Sequence, residues 1–177
     1  MPAESIVHDA LPERLRALHR LWAGRRRPTR ADFTFAMLKP WLGHLALFDH
    51  GPSGFRFRLC GTELIPRFTR EATGLALHAL DPAVRAGVEP LLGDARDGMR
   101  AACAVAHVDF EARRTEYCDL ALPLFGAGDA VSELLFASYA VRQVRPYAVS
   151  TPARLHAAVK ARTSRAAAEP ATHAARS

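Results

Sequence analysis

The chain has 177 residues, 49% of them apolar, and a formal net charge of +6. That length and composition suffice for one core of ordinary domain size with flanking segments. No run of about eighteen apolar residues occurs and the N-terminus lacks a basic stretch followed by an apolar one, so neither a spanning helix nor a secretory signal is expected and a cytoplasmic protein is.

Leu11, Leu15, Leu18 and Trp22 fall at spacings of four, three and four, an apolar stripe on a helix whose other faces carry Glu13, Arg14, Arg16 and Arg20. Asp9 can cap this helix, Pro12 suits its first turn and Gly24 can close it. The stripe needs a partner surface, either the back of its own domain or the same helix of a second subunit, which makes these four residues the candidate dimer seam. Arg25 to Asp32 reads as a basic linker, and Asp32 as the cap of a short helix from Phe33 to Trp41, interrupted by Pro40.

From Gly43 the period changes to that of strands. Leu45 to Phe48 and Phe55 to Cys60 flank the turn sequence His50-Gly51-Pro52-Ser53-Gly54, which predicts an antiparallel hairpin. Alternation puts Phe55, Phe57 and Leu59 on one face of the second strand and Arg56, Arg58 and Cys60 on the other. Thr62 to Leu80 suits one or two small helices broken at Pro66 and Gly74. Asp81-Pro82 then starts a helix carrying Val84, Val88, Leu91 and Ala95 at helical spacing and ending near Gly98. Three further strands are expected over Ala101 to Phe110, Thr115 to Phe125 and Val131 to Arg142.

These elements predict an α+β fold, a five-stranded antiparallel sheet covered on one side by a helical crossing, with an N-terminal amphipathic helix. The expected organisation is an N-terminal helix and basic linker over 1–32, a sheet domain over 33–146, and a basic, alanine-rich tail over 147–177. In that tail a helix from Thr151 to Thr163 is expected, and disorder over about the last dozen residues.

Several motifs lie in matching order along this frame: Leu21-Trp22 before basic residues, Pro28-x-Arg30-x-Asp32-Phe33, Pro40-Trp41-Leu42, Phe57-Arg58-Leu59-x-Gly61-Thr62, Thr73-Gly74 and Leu122-Pro123-Leu124. Together they resemble the small PAS-type domains that form nearly the whole of some short bacterial proteins. The family's pattern has a glycine and an aspartate shortly before the Thr-Gly pair, where this chain has Thr69 and Glu71. The resemblance implies a PAS-like sensor or interaction domain with a cavity between the inner sheet face and the helices, often paired through an N-terminal helix. Such folds host haem, flavin, small acids or nothing, so the cofactor stays undefined.

The candidate ligand-binding residues are Phe57, Arg58, His78, Val84, Val88 and Tyr117. Arg58 could hold an anion bidentately, or pair structurally with Glu63, Glu71 or Glu116. Haem would need an axial histidine, for which His44, His50, His78 and His107 are the candidates, none with a companion motif. Cys60, Cys103 and Cys118 form no CxxC pair and lack the polar loop of a flavin-adduct cysteine, so reduced core thiols are expected. His107, Asp109 and Glu111 alternate along one strand and read as its solvent face, leaving no expected metal site. No G-x-S-x-G, H-E-x-x-H, P-loop or G-x-G-x-x-G motif is present, so no catalysis is expected. Tyr117, Tyr139, Phe110, Phe125 and Phe136 read as sheet core rather than as a platform for bases.

The expected function is therefore that of a non-catalytic regulatory module, a homodimer that binds a small ligand or a signalling-protein partner, with nucleic acid not the expected partner. Two alternatives remain. One is a nucleic-acid or anionic-surface binder using Arg14, Arg16, Arg20, Arg25, Arg26, Arg27 and Arg30 with Arg154, Lys160, Arg162, Arg165 and Arg176. The other is a haem-binding sensor.

Overall fold

In the computed structural model, residues 11–110 and 113–144 are described. Five strands form one antiparallel sheet in the order β2-β1-β5-β4-β3, with β1 at Leu45–Gly51, β2 at Gly54–Cys60, β3 at Ala102–Phe110, β4 at Arg113–Phe125 and β5 at Val131–Val144. The expected α+β class, the five antiparallel strands and the helical excursion between the second and third strands are all present. Pro52 and Ser53 turn the first hairpin, and Gly54 takes φ +87° there, a conformation for which glycine carries no Cβ penalty.

One feature of β2 departs from strict alternation. The register shifts so that Leu47 opposes Leu59 and Phe48 opposes Phe57, leaving Arg58 in a bulge. Phe55 and Phe57 stay buried on the inner face, Cys60 packs against the same cluster, and Leu59 moves to the outer side, 45% exposed. The expectation that Leu59 sits with the phenylalanines is corrected, because an extra residue in one strand inverts the facing of everything beyond it.

Both faces of the sheet are covered, not one. Beneath the inner face lie α3 (Ile65–Phe68) and α4 (Pro82–Gly98), which bring Phe68, Val84, Val88, Leu91, Leu92 and Ala95 against Phe48, Phe57, Ala121 and Phe136. Over the outer face lies α1 (Glu13–Ala23), with Leu15, Leu18 and Trp22 against Leu120, Leu122, Leu135 and Ala137. Trp22 Nε1–H also donates to the Pro123 carbonyl oxygen at 2.8 Å. Of the two surfaces the stripe could find, the structure shows its own sheet: Leu11, Leu15, Leu18 and Trp22 are all buried within one chain and are not presented as a seam for a second copy. Each fully buried leucine contributes roughly 1.5–3 kcal/mol of transfer free energy to that docking.

Local signals explain most element ends. Asp81 accepts from Ala83 N–H at 2.8 Å and Pro82 fills the first position of α4, as expected. In the segment before β1, the cap of α2 (Phe35–Leu38) is Thr34, which accepts from Met37 N–H, and not Asp32. Asp32 instead accepts from both the N–H and the hydroxyl of Thr29, at 2.7 and 2.8 Å, closing a 3-10 turn over Arg30–Asp32. Pro66 opens α3 and does not break it. Gly61 lies under the carbonyls of Leu42 and Gly43 with no room for a Cβ, so it is required by close approach. Asp9, Glu111 and the tail from Tyr147 onward, with its expected helix and disorder, lie outside the described residues.

The crossing at Thr69 carries local strain. Thr69 ends α3 at φ +61°, a left-handed conformation unfavourable to a β-branched residue, at the position where the PAS pattern has glycine. Two residues on, the Glu71 carboxylate accepts from Thr73 N–H at 2.8 Å. Thr69→Gly should raise stability by about 1 kcal/mol, read as a higher urea midpoint at constant slope. An unchanged or lower midpoint would show that the Thr69 hydroxyl, which donates to the Phe68 carbonyl, outweighs the strain.

Candidate functional site

In the resemblance the ligand space lies between the inner sheet face and the crossing helices, and here four phenylalanine side chains pack against one another on that face. Phe48 and Phe57 pack with ring centroids 4.2 Å apart, Phe57 meets Phe68 edge-on at 5.0 Å, and Phe136 lies 5.8 Å from Phe68 and 6.0 Å from Phe48. All four rings are fully buried. Such contacts add to area burial through the ring quadrupoles.

Beside these rings is a buried polar cluster. Arg67 Nη2 donates to Asp119 Oδ2 at 2.6 Å and Arg67 Nε lies 3.5 Å from Asp119 Oδ1, while the Ser138 hydroxyl donates to Asp119 Oδ1 at 2.5 Å. Exposure is 1% for Arg67, 0% for Asp119 and 1% for Ser138. The guanidinium also lies over the rings of Tyr117 at 5.6 Å and Phe68 at 5.7 Å. Three elements meet here, since Arg67 comes from α3, Asp119 from β4, and Ser138 from its register partner on β5. α4 passes over the pair at Gly87, where an added Cβ would lie in ordinary van der Waals contact with Arg67 Nη2 at 3.6 Å.

Chemically the cluster is a closed structure. The carboxylate is held by the forked guanidinium and by a hydroxyl, and the cation is sandwiched between that carboxylate and two rings. An ion pair of this kind gains little net stability over an apolar packing of the same volume, but losing one partner leaves an uncompensated buried charge. Sequence reading missed both residues. A signal existed in each case: Arg67 is the one charge among Leu64, Ile65, Pro66 and Phe68, and Asp119 the one charge in the run from Tyr117 to Phe125.

Of the six candidate ligand residues, Phe57, Val84, Val88 and Tyr117 are buried on this inner side. Arg58 and His78 are not brought to them. Arg58 is exposed in the bulge, 3.6 Å from Asp49 across the hairpin, and not paired with Glu63, Glu71 or Glu116. His78 is exposed on the 3-10 turn Leu77–Ala79. The other haem candidates have different partners. His44 stacks on Tyr139 at 3.9 Å, with Nδ1 3.2 Å from the Ser138 carbonyl oxygen. His50 packs edge-on against Phe55 at 4.8 Å and contacts Arg96, and His107 lies 3.3 Å from Glu116. Asp109 pairs with Arg114, and no group of three potential metal ligands is found among the described residues.

The three cysteines lie in strands without disulfides. Burial pushes the Cys118 thiol up to about 12 and the Cys60 thiol up to about 11, and raises Cys103 too. At pH 8 Cys118 is a neutral thiol under α1, so iodoacetamide should label it only after unfolding. Labelling of native protein at the rate of a free thiol would show that α1 leaves the sheet.

Three hollows lined by described residues lie elsewhere. One of about 110 Å³ lies on the outer side among Phe33, Phe35, Leu38, Leu42, Leu47 and Leu59. A second, about 240 Å³, lies near Thr69, Asp81, His107 and Asp109. The third, about 400 Å³, is ringed by Arg25, Arg26, Arg27 and Arg100.

No protein-family model matches the chain, and neither does any curated protein. Solved structures similar to it include the PAS domain of Bordetella pertussis BvgS, 13% identical with a TM-score of 0.42, covering 69% of this chain and 85% of that one. A light-oxygen-voltage domain studied with a flavin analogue is 11% identical with a TM-score of 0.47, over 76% and 98%. A light-oxygen-voltage protein of Rhodobacter sphaeroides is 14% identical with a TM-score of 0.41, over 89% and 82%. At these identities the likeness is one of fold and extends to no residue of the site.

Proposed function

We propose that this PAS-like domain is a non-catalytic regulatory module whose interior is a structural core, and that it acts through a protein partner and not through a resident haem or flavin. The observation that carries the reading is the inner face, where four packed phenylalanines and the closed Arg67–Asp119–Ser138 cluster occupy the space between sheet and helices. The histidine contacts support it as well, because His44, His50 and His107 are engaged with Tyr139, Arg96 and Glu116 and His78 faces solvent. Self-association, where it occurs, would leave α1 on its own sheet and pair through other surface, since Leu11, Leu15, Leu18 and Trp22 belong to the core.

Reconstitution tests this reading. Purified protein is incubated with haemin, and separately with flavin mononucleotide, then gel-filtered and its absorption recorded. The expected result is protein free of a Soret band and of flavin absorption. A stoichiometric pigment carried through the column would overturn the reading.

A further inference from the structure

The basic connection after α1 was legible as a motif in the sequence, and the regulatory reading makes no use of it. In the structure it is a fixed loop. Gly24 N–H donates to the Arg20 carbonyl at 3.0 Å and Arg25 N–H to the Trp22 carbonyl at 3.2 Å, which ties its start to α1. At its end Phe125 N–H donates to the Pro28 carbonyl at 2.8 Å, and Pro28 is buried, which ties it to the last residue of β4.

Two of its arginines are also held by their side chains. Arg25 donates to the Leu21 carbonyl at 2.6 Å and lies over the Phe33 ring at 4.9 Å, while Arg27 lies over the Phe125 ring at 5.1 Å. A fourth arginine arrives from a distant part of the chain. Met99 adopts φ +50° at the end of α4 and turns the chain so that Arg100 lines the same hollow as Arg25, Arg26 and Arg27. No carboxylate is among the described residues that line it, and Asp32, which acts electrostatically on Arg25, is engaged by Thr29.

We propose that this hollow binds an oligophosphate, that is, two or more adjacent phosphate groups, as in inorganic pyrophosphate or the tail of a nucleoside di- or triphosphate. Arg25, Arg26, Arg27 and Arg100 all line this hollow of about 400 Å³, a basic surround that suits the charge of such a group and the lower part of the size range of small-molecule sites. Guanidinium forks pair with phosphate oxygens bidentately and stay charged at any working pH. The loop ties fix the backbone that carries these arginines, and the Phe125 ring holds the Arg27 side chain at the hollow before a ligand arrives, so less entropy is lost on binding. A single phosphate would satisfy only part of the ring, which is why the site is assigned to adjacent groups. The assignment is independent of the protein-partner reading, since the hollow lies away from the inner face.

Isothermal titration of the full chain at near-physiological salt, with pyrophosphate, ATP and orthophosphate as probes, tests the site. The expected result is one equivalent of pyrophosphate or ATP bound more tightly than orthophosphate. Equal affinity for pyrophosphate and ATP would identify the phosphates as the whole recognition element, whereas tighter ATP binding would make a nucleotide the source; either outcome supports the site. Arg26→Ala with Arg100→Ala should weaken binding about tenfold or more. Arg26 and Arg100 are exposed, so this variant should keep its fold, and circular dichroism checks that. Arg16→Ala, which changes an α1 arginine paired with Glu13 outside the hollow, should leave binding unchanged. The proposal is overturned if no probe binds at millimolar concentration, if the double variant binds as well as the parent, or if only long polyanions such as heparin or DNA are retained.

Discussion

Asp119→Ala should destabilise the protein by about 3–5 kcal/mol, because it leaves the Arg67 guanidinium buried at 1% exposure with no counter-charge. Loss of the acceptor for the Ser138 hydroxyl adds to the penalty. Urea unfolding would show a much lower midpoint, or an unfolded chain at room temperature. The stronger test is the companion variant that replaces the whole cluster, Arg67→Met with Asp119→Leu and Ser138→Ala. With no orphaned charge left, it should recover most of the lost stability. If Asp119→Ala lies within about 1 kcal/mol of the parent, the carboxylate is not desolvated and the closed-cluster account fails.

Phe57→Ala should have an effect of similar size, about 3–5 kcal/mol. Its ring is fully buried and touches Phe48 and Phe68, so truncation removes both transfer free energy and the packing of two neighbours. Phe57→Leu should cost distinctly less, since most of the volume is retained. Phe35→Ala provides the contrast. That side chain is 73% exposed, and its loss should change the unfolding free energy by no more than about 0.5 kcal/mol. Equal effects at the two positions would mean that the inner face has slack, as a ligand cavity would.

The parts of the fold legible in the sequence are those whose cause is local. Asp81-Pro82 and the spacing of Val84, Val88, Leu91 and Ala95 define α4 almost to the residue, since caps and periodicity act within one segment. The hairpin at Pro52-Ser53 and the three later strands follow from turn chemistry and alternation in the same way. The bulge at Arg58 was not legible, because it depends on how Leu47 and Phe48 of the neighbouring strand pair, and Leu59 was therefore placed on the wrong face. The second covered face was left open by the sequence for a related reason: an apolar stripe states that α1 needs a partner, and only the three-dimensional structure shows Leu120, Leu122 and Leu135 beneath it.

The candidate site divides along the same line. Phe57, Val84, Val88 and Tyr117 are buried, as their places in strand and helix patterns lead one to expect, whereas Arg58 and His78, chosen for their chemistry alone, lie at the surface. The residues that shape the interior most, Arg67 and Asp119, are 52 positions apart, and nothing local couples them. Each did carry a warning in being a lone charge within an apolar run. Two such charges of opposite sign in one small domain are worth testing as a pair, because burial without pairing would be prohibitive.

Native mass spectrometry of freshly purified protein, produced with haem and flavin both available to the cells and read with its absorption spectrum, tests the central claim most directly. A packed inner face predicts a chain, or whole multiples of it, with no added mass of haem or flavin and no visible absorption. Added mass lost on denaturation together with a Soret or flavin band would show that a ligand occupies the space assigned to Phe48, Phe57, Phe68 and Phe136, and would contradict the account.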